Sequence, residues 1–94
     1  MIDPDVHIIS KEDTDDGWEF GVEIKLGSVQ TQHTVTVAEE YLEQFNFDSP
    51  DEMVLASFYF LIDNQAPDEI LPAFDLHTIK DFFPGYEESV ENYF

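Results

Sequence analysis

The sequence predicts an α+β fold: a three-stranded antiparallel β-meander followed by two to three helices packed on one face of the sheet. The first half alternates apolar and polar residues with a period of two, which is typical of half-buried strands. The second half carries helix start signals followed by apolar residues at helical spacing. The 94 residues fit a single domain spanning residues 1–94, and nine Phe, four Tyr and one Trp supply its core.

The sheet is predicted at about residues 5–37. The stretch "WEFGVEIKL" alternates strictly, and "VQTQHTVTV" continues the pattern after a short turn at Gly27 and Ser28. Upstream, "VHIIS" is a weaker strand, joined by "KEDTDDG", in which Gly17 is expected to adopt a positive φ. Alternation places His33 on the apolar face, where a hydrogen-bonded, partly buried imidazole is favoured over a metal ligand.

Helices are predicted at about residues 38–46, 50–64 and 75–83. Thr36 and Glu39 have capping-box spacing before the first helix. Ser49 followed by Pro50 is a stronger start signal, and the helix after it is apolar nearly all round, which predicts a central buried helix. In that helix we expect Ser57 either to pack among the Phe residues or to bond back to the preceding turn.

The third helix is expected to start at Asp75 as N-cap and to end before Pro84 and Gly85. Its polar side would carry His77. Residues 86–94 form either a terminal turn or a tail. The apolar stripe that faces the core is predicted to consist of Leu76, Ile79, Phe82 and Phe83.

Residues 32–87 resemble a group of small bacterial proteins that have no established activity. The stretches that carry the resemblance are "HTVTVAEEYLEQF", "SPDEMVLASFYFLID" and "EILPAFDLHTIKDFFPGYE", which follow the pattern S-F-x-F-L-L, P, I-L, F-D-L and F-P-x-Y-E. The group carries mixed charges of the kind L-E-R-E-P after the central helix, whereas "IDNQAP" here lacks the basic member. The resemblance implies the fold and a bacterial origin. The matching residues are Ser57, Phe58, Phe60, Leu61, Pro67, Ile70, Leu71, Phe74, Asp75, Leu76, Ile79, Phe83, Pro84, Tyr86 and Glu87.

Charge restricts the classes of partner. The chain has 22 acidic residues, three lysines and no arginine, for a net charge of −19. Direct binding to nucleic acid or to an anionic membrane is disfavoured, because both rest on Lys and Arg. The charge has three interpretations: solubility, adaptation to high salt, or an acidic face that imitates nucleic acid or docks on a basic protein.

A cytoplasmic location is expected. No basic segment followed by an apolar run starts the sequence, so no secretory signal is predicted. The longest apolar stretch, Met53 to Ile62, is too short for a membrane span, which needs roughly 20 residues. There is no Cys, so disulfides and thiolate chemistry are excluded.

We predict no catalytic, cofactor-binding or metal-ligating residues, and we do not expect an enzyme. His7, His33 and His77 are scattered rather than spaced as zinc ligands. "DTDDG" resembles part of a calcium loop, but counting from Asp13 places Trp18 at the sixth position, where an EF-hand needs Gly. Weak divalent-cation binding stays open. No serine lies in a G-x-S-x-G motif.

The candidate interaction surface is acidic. Two of its three clusters place like charges at i, i+4 spacing on a helix, which costs a few tenths of a kcal/mol per pair. We therefore favour a protein-binding or regulatory module that engages a basic partner. The candidate residues are Asp13, Asp15 and Asp16, then Glu39, Glu40 and Glu43, then Glu87, Glu88 and Glu91.

Aromatic residues are expected to add apolar anchors to this contact or to drive self-association. The alternative hypothesis is a small homodimer formed through the sheet edge or the C-terminal aromatics, whose charge serves only solubility or salt tolerance. The expected anchors are Trp18 and three aromatic residues that are expected to be exposed, Phe47, Tyr93 and Phe94.

Overall fold

The sheet has four strands within residues 4–93, the part of the chain that this computed structural model describes. The first three form the predicted antiparallel meander, and the fourth pairs in parallel with the third. In spatial order the strands are β1 (Asp5–Asp13), β2 (Gly17–Leu26), β3 (Val29–Ala38) and β4 (Ala73–Asp75).

One long helix and several single turns follow the meander. The long helix starts as predicted: Ser49 Oγ accepts a hydrogen bond from the Glu52 backbone N–H at 3.3 Å, and Pro50 is the first helical residue. The helices are α1 (Glu39–Leu42), α2 (Pro50–Asn64), α3 (Ile79–Phe82) and α4 (Tyr86–Ser89), with 3₁₀ turns at Pro67–Glu69, Leu76–Thr78 and Val90–Tyr93.

The core lies between α2 and the inner face of the sheet. The fully buried Phe58 ring lies 5.7 Å from the His33 ring on β3 and 5.9 Å from the Phe74 ring on β4, measured between centroids. Burying a side chain of this kind contributes about 1.5–3 kcal/mol. Other buried residues of this core are Val6, Phe20, Val22, Ile24, Val35, Val37, Met53, Val54, Ala56, Phe60, Leu61, Ile70, Leu76, Ile79, Tyr86 and Val90.

A buried polar pair joins α2 to α4. Ser57 Oγ donates to the Met53 carbonyl at 2.7 Å, as predicted for a serine within a helix. Its only proton is then used, so the Tyr86 hydroxyl, 2.6 Å away, donates to Ser57 Oγ. Burial raises the pKa of Tyr86 above its ordinary value. The pair fixes α4 on the core, and residues 86–93 are helical turns rather than a tail.

The prediction of a helix at 75–83 is wrong in its first part. Residues 73–75 form β4, because the free edge of β3 offers hydrogen-bond partners that an isolated helix start lacks. A 3₁₀ turn and the short α3 follow. The expected stripe is split: Leu76 and Ile79 are buried and Phe83 is half-buried, whereas Phe82 is exposed.

The first helix is also shorter than the predicted 38–46. Ala38, not Thr36, is its N-cap residue, and no side chain caps it. Thr36 belongs to β3, where its hydroxyl donates to the Asp75 carboxylate on β4. The helix ends at Leu42 and tighter i to i+3 bonds follow, such as Phe45 N–H to Leu42 O at 3.0 Å.

Two glycines set the turns of the meander, in different ways. Gly27 has a φ of 63°, which a two-residue hairpin turn requires. Gly17 does not have the positive φ that we predicted. Instead it is buried, and a Cβ there would lie 2.0 Å from the Val37 carbonyl oxygen. Glycine at this position therefore lets the β1–β2 turn approach the end of β3 closely.

Candidate acidic binding surface

The first two predicted acidic clusters meet where the β1–β2 turn contacts the start of α1. The Glu39 backbone N–H donates to the Asp16 carbonyl at 2.8 Å, and Gly17 pairs with Ala38 in the sheet. The turn is closed by the Gly17 N–H, which donates to Thr14 Oγ1 at 3.1 Å. The backbone therefore brings Asp13, Asp15 and Asp16 next to α1.

The third cluster joins α1 from the other side. The Tyr41 hydroxyl donates to a Glu87 carboxylate oxygen at 2.7 Å, and Asn46 Nδ2 donates to Glu91 Oε2 at 3.3 Å. Burial of Tyr41, together with its bond to Glu87, raises the pKa of the tyrosine above its ordinary value. We call the nine predicted residues of the three clusters, with α1 between them, the acidic end.

Eight of these nine side chains are exposed, and Glu87 is half-buried. Glu39, Glu40 and Glu43 face solvent, while Tyr41 on the same short helix is buried. The carboxylates are thus available at the surface.

Sequence reasoning missed a row of acids that extends this surface across the open face of the sheet. Glu12 pairs with Glu19, Glu19 with Thr36, and Thr36 with Asp75. Directly opposite residues of neighbouring strands point to the same face, about 5 Å apart. Counting outward from the β1–β2 turn would have paired Glu12 with Glu19. The Asp75 position depends on β4, which carried no strand signal.

The three lysines each lie beside an acid. Lys11 Nζ is 2.9 Å from Asp51 on α2, and Lys25 Nζ is 3.5 Å from Glu23 on the open face. Lys80 Nζ is 3.9 Å from Glu87 and is the only lysine that contacts one of the nine predicted residues within the described part of the chain. The acidic end therefore has little internal compensation.

The histidines lie apart, as their spacing in the sequence suggested. His33 is buried: Nδ1–H donates to the Leu71 carbonyl at 2.8 Å, and Nε2 lies 2.9 Å from Thr31 Oγ1. Both contacts are the satisfied polar partners that we predicted. His77 is exposed, with its ring 6.1 Å from that of Tyr41. Among residues 4–93, no three His, Asp or Glu side chains form a group that could hold a metal ion.

The predicted aromatic anchors are not free surface groups. Trp18, Phe47 and Tyr93 are half-buried and pack against the core, with the Tyr93 ring 5.8 Å from that of Phe60. Phe94 lies outside the described residues. The prediction that Phe47 and Tyr93 are exposed is therefore wrong: Tyr93 ends the 3₁₀ turn that packs on the core, and Phe47 packs against the core from the segment before α2. The exposed large apolar side chains are instead Ile9, Val29, Leu71 and Phe82.

No helix in residues 4–93 has the length and apolar character needed to cross a membrane. No family model, curated protein or solved structure matches this chain.

Proposed function

We propose that this protein is a non-enzymatic binding module whose acidic end engages the basic surface of a partner protein, in the place that nucleic acid would otherwise take. The observation that carries the proposal is the meeting of three acidic clusters around α1, with eight of nine carboxylates exposed. Within residues 4–93, Lys80 is the only lysine in contact with them.

Physical reasoning supports a use for this charge. Like charges brought together lower the stability of a fold, and among residues 4–93 the acidic end has one lysine, Lys80, in contact with one of its nine acids. A cationic partner would relieve that repulsion and would be attracted over the range of the Debye length, about 8 Å at physiological salt. A polyanion would be repelled. The proposal therefore predicts binding that is specific for cations and sensitive to salt.

The test compares two double variants of equal net charge, binding a fluorescent peptide of alternating Lys and Gly. The first variant removes two charges from α1: Glu39→Gln and Glu40→Gln. The matched control removes two exposed acids outside the acidic end: Asp5→Asn and Asp63→Asn. Fluorescence anisotropy at 50 mM and 500 mM NaCl measures the dissociation constants.

We expect the α1 variant to weaken binding at low salt by at least about fivefold and the control variant by less than about twofold. Wild-type binding should weaken strongly at high salt. Equal losses in both variants would show that only net charge matters, and would contradict a localised site. Light scattering over a range of concentrations tests the alternative, because a homodimer would double the mass of 10.9 kDa.

A further inference from the structure

An apolar groove opens between the 3₁₀ turn at Pro67–Glu69, β4 and α3. Its volume is about 380 Å³, which is within the range of sites that bind ligands. Apolar side chains dominate its lining, and a small number of polar side chains lie among them. The lining includes Leu61, Ile70, Leu71, Phe74, Ile79, Phe82 and Phe83, with Gln65, Glu69 and Thr78.

The rim of the groove exposes bulky apolar groups. The Phe82 side chain is 67% exposed and the Leu71 side chain is 51% exposed. Both contribute to the lining, so the exposed surface is continuous with the apolar interior of the groove. Aromatic and aliphatic groups gathered around a concave site are the usual anchors of a bound partner.

The groove is built on the rigid core. His33 Nδ1–H holds the Leu71 carbonyl at 2.8 Å, and the Thr34 N–H holds the Pro72 carbonyl at 2.8 Å. At the other wall, the Phe83 ring packs edge-on against the Phe60 ring at 5.8 Å. Such fixed walls reduce the entropy that is lost when a partner binds.

Acidic residues around the groove favour a cationic ligand over an anionic one. Glu69 lies in the lining, its Oε1 fixed by the Ala66 N–H at 3.0 Å. Asp68 and Asp81 are exposed and directly precede lining residues in the chain. Lys80, the nearest cation in sequence, contacts Glu87 at 3.9 Å. An anionic ligand, such as a fatty acid, would place its carboxylate beside these acids.

We propose that the groove binds a short segment of a basic protein, in which one or two bulky apolar side chains are flanked by Lys or Arg. The apolar side chains insert between Leu71 and Phe82, and the flanking cations contact Glu69, Asp68 and Asp81. This inference rests on the proposed function and names the apolar anchor that a basic partner must carry. A second copy of this chain fits the groove less well, because two surfaces of net charge −19 repel each other.

The test uses full-length protein and three synthetic peptides of equal length. The first alternates Lys and Gly around a central Leu-Trp pair, the second replaces that pair by Ala-Ala, and the third keeps Leu-Trp between Glu and Gly. Calorimetry gives the affinities, and amide NMR spectra show which residues respond. The variants are Leu71→Ser and Phe82→Ser, with Ile9→Ser as matched control, since Ile9 is 53% exposed on β1, outside the groove.

We expect the first peptide to bind at least about tenfold more tightly than the second and to shift the groove amides. The advantage should fall to within about twofold in Leu71→Ser and Phe82→Ser, and should persist in Ile9→Ser. Equal binding of both cationic peptides, with shifts confined to the acidic end, would overturn the groove inference and leave the proposed function standing. If neither cationic peptide binds, both fail.

Two further outcomes would also overturn the inference. Comparable binding of the acidic Leu-Trp peptide would show an apolar site without charge selection. A doubled mass in sedimentation that Phe82→Ser abolishes would show that a second copy of this chain occupies the groove.

Discussion

Glu19 and Glu23 lie on the same face of the same strand, and their surroundings differ. Glu23 Oε2 accepts hydrogen bonds from Gln30 at 2.9 Å and from Gln32 at 3.3 Å, with Lys25 Nζ at 3.5 Å from the other oxygen. Glu19 has Glu12 directly opposite on β1. The Glu23 carboxylate accepts hydrogen bonds, whereas the Glu19 carboxylate lies opposite a like charge.

The pKa of Glu23 reflects desolvation, the hydrogen bonds to its carboxylate and the nearby lysine. Desolvation alone would raise it, but the hydrogen bonds from Gln32 and Gln30 and the charge of Lys25 outweigh desolvation, so the pKa lies below its ordinary value. The ionised form is therefore the one that the fold stabilises at this end of the sheet.

The difference between Glu19 and Glu23 shows which surface carboxylates contribute to the stability of the fold. At the Glu23 end the carboxylate is part of the structure. Beside the acidic end, Glu19 and Glu12 lie opposite each other as like charges, which is unfavourable for folding. Surface that is unfavourable for folding and accessible to solvent is what a charged partner would use, and the groove adds the apolar contact that charge alone cannot supply.

The largest expected effect comes from breaking the hydrogen bond that joins Tyr41 on α1 to Glu87 on α4. Tyr41→Phe removes the hydroxyl that donates to Glu87. A hydrogen bond to a charged group is worth about 1.5–3 kcal/mol, and partial exposure of Glu87 lowers the expected loss of unfolding free energy to about 1–2 kcal/mol. Urea denaturation measures it, with Tyr59→Phe on α2 as control. A loss below about 0.5 kcal/mol would contradict the assigned bond.

The difference in stability between wild type and Tyr41→Phe is also expected to depend on pH. The raised pKa of Tyr41 means that the folded protein keeps this proton at a pH where the unfolded chain has lost it. The stability contributed by Tyr41 is therefore fully present below about pH 10 and is lost as pH rises above it, by less than about 1.4 kcal/mol per pH unit. The gap between wild type and Tyr41→Phe should be constant from pH 7 to 9 and should shrink toward pH 12.

Tyr86 also has a raised pKa, but it is present in both proteins, so its contribution cancels from the gap. A gap that stays constant up to pH 12 would show that Tyr41 does not keep its proton in the way that its surroundings require.

The meander and α2 could be predicted from the sequence because their signals are local. Alternation fixes the buried face of β2 and β3, and the Ser49 cap with Pro50 fixes the start of α2. The acidic clusters could be listed for the same reason. Their meeting around α1 could not, because it depends on long-range contacts such as the one between Tyr41 and Glu87.

The C-terminal third shows why local signals fail. The sequence predicts a helix that starts at Asp75, but residues 73–75 pair with the edge of β3, and Asp75 precedes a 3₁₀ turn. Phe82, predicted to face the core, lies instead at the rim of the groove. The groove also depends on the pairing of β4 with β3, which the spacing of apolar residues along the chain does not show.

The smallest expected effects on stability have opposite signs for substitutions of Glu19 and Glu23. Glu19→Gln removes the repulsion from Glu12 and should stabilise the fold by about 0.2–0.5 kcal/mol at low salt. Glu23→Gln should destabilise it at neutral pH, because the supported charge is lost. Paired urea titrations at 20 mM and 500 mM NaCl measure both. Salt should erase the gain from Glu19→Gln, since exposed charges are screened.

Acid provides the second check on this pair. A lowered pKa makes the stability contributed by Glu23 present above the ordinary value of a glutamate, about 4.3, and lost as pH falls through the lower value in the folded protein. The cost of Glu23→Gln should therefore shrink as pH falls below about 4.3. If both substitutions change the free energy of unfolding in the same direction at neutral pH, the surroundings of Glu19 and Glu23 do not differ in their effect on stability. The charge beside the acidic end is then not unfavourable for folding.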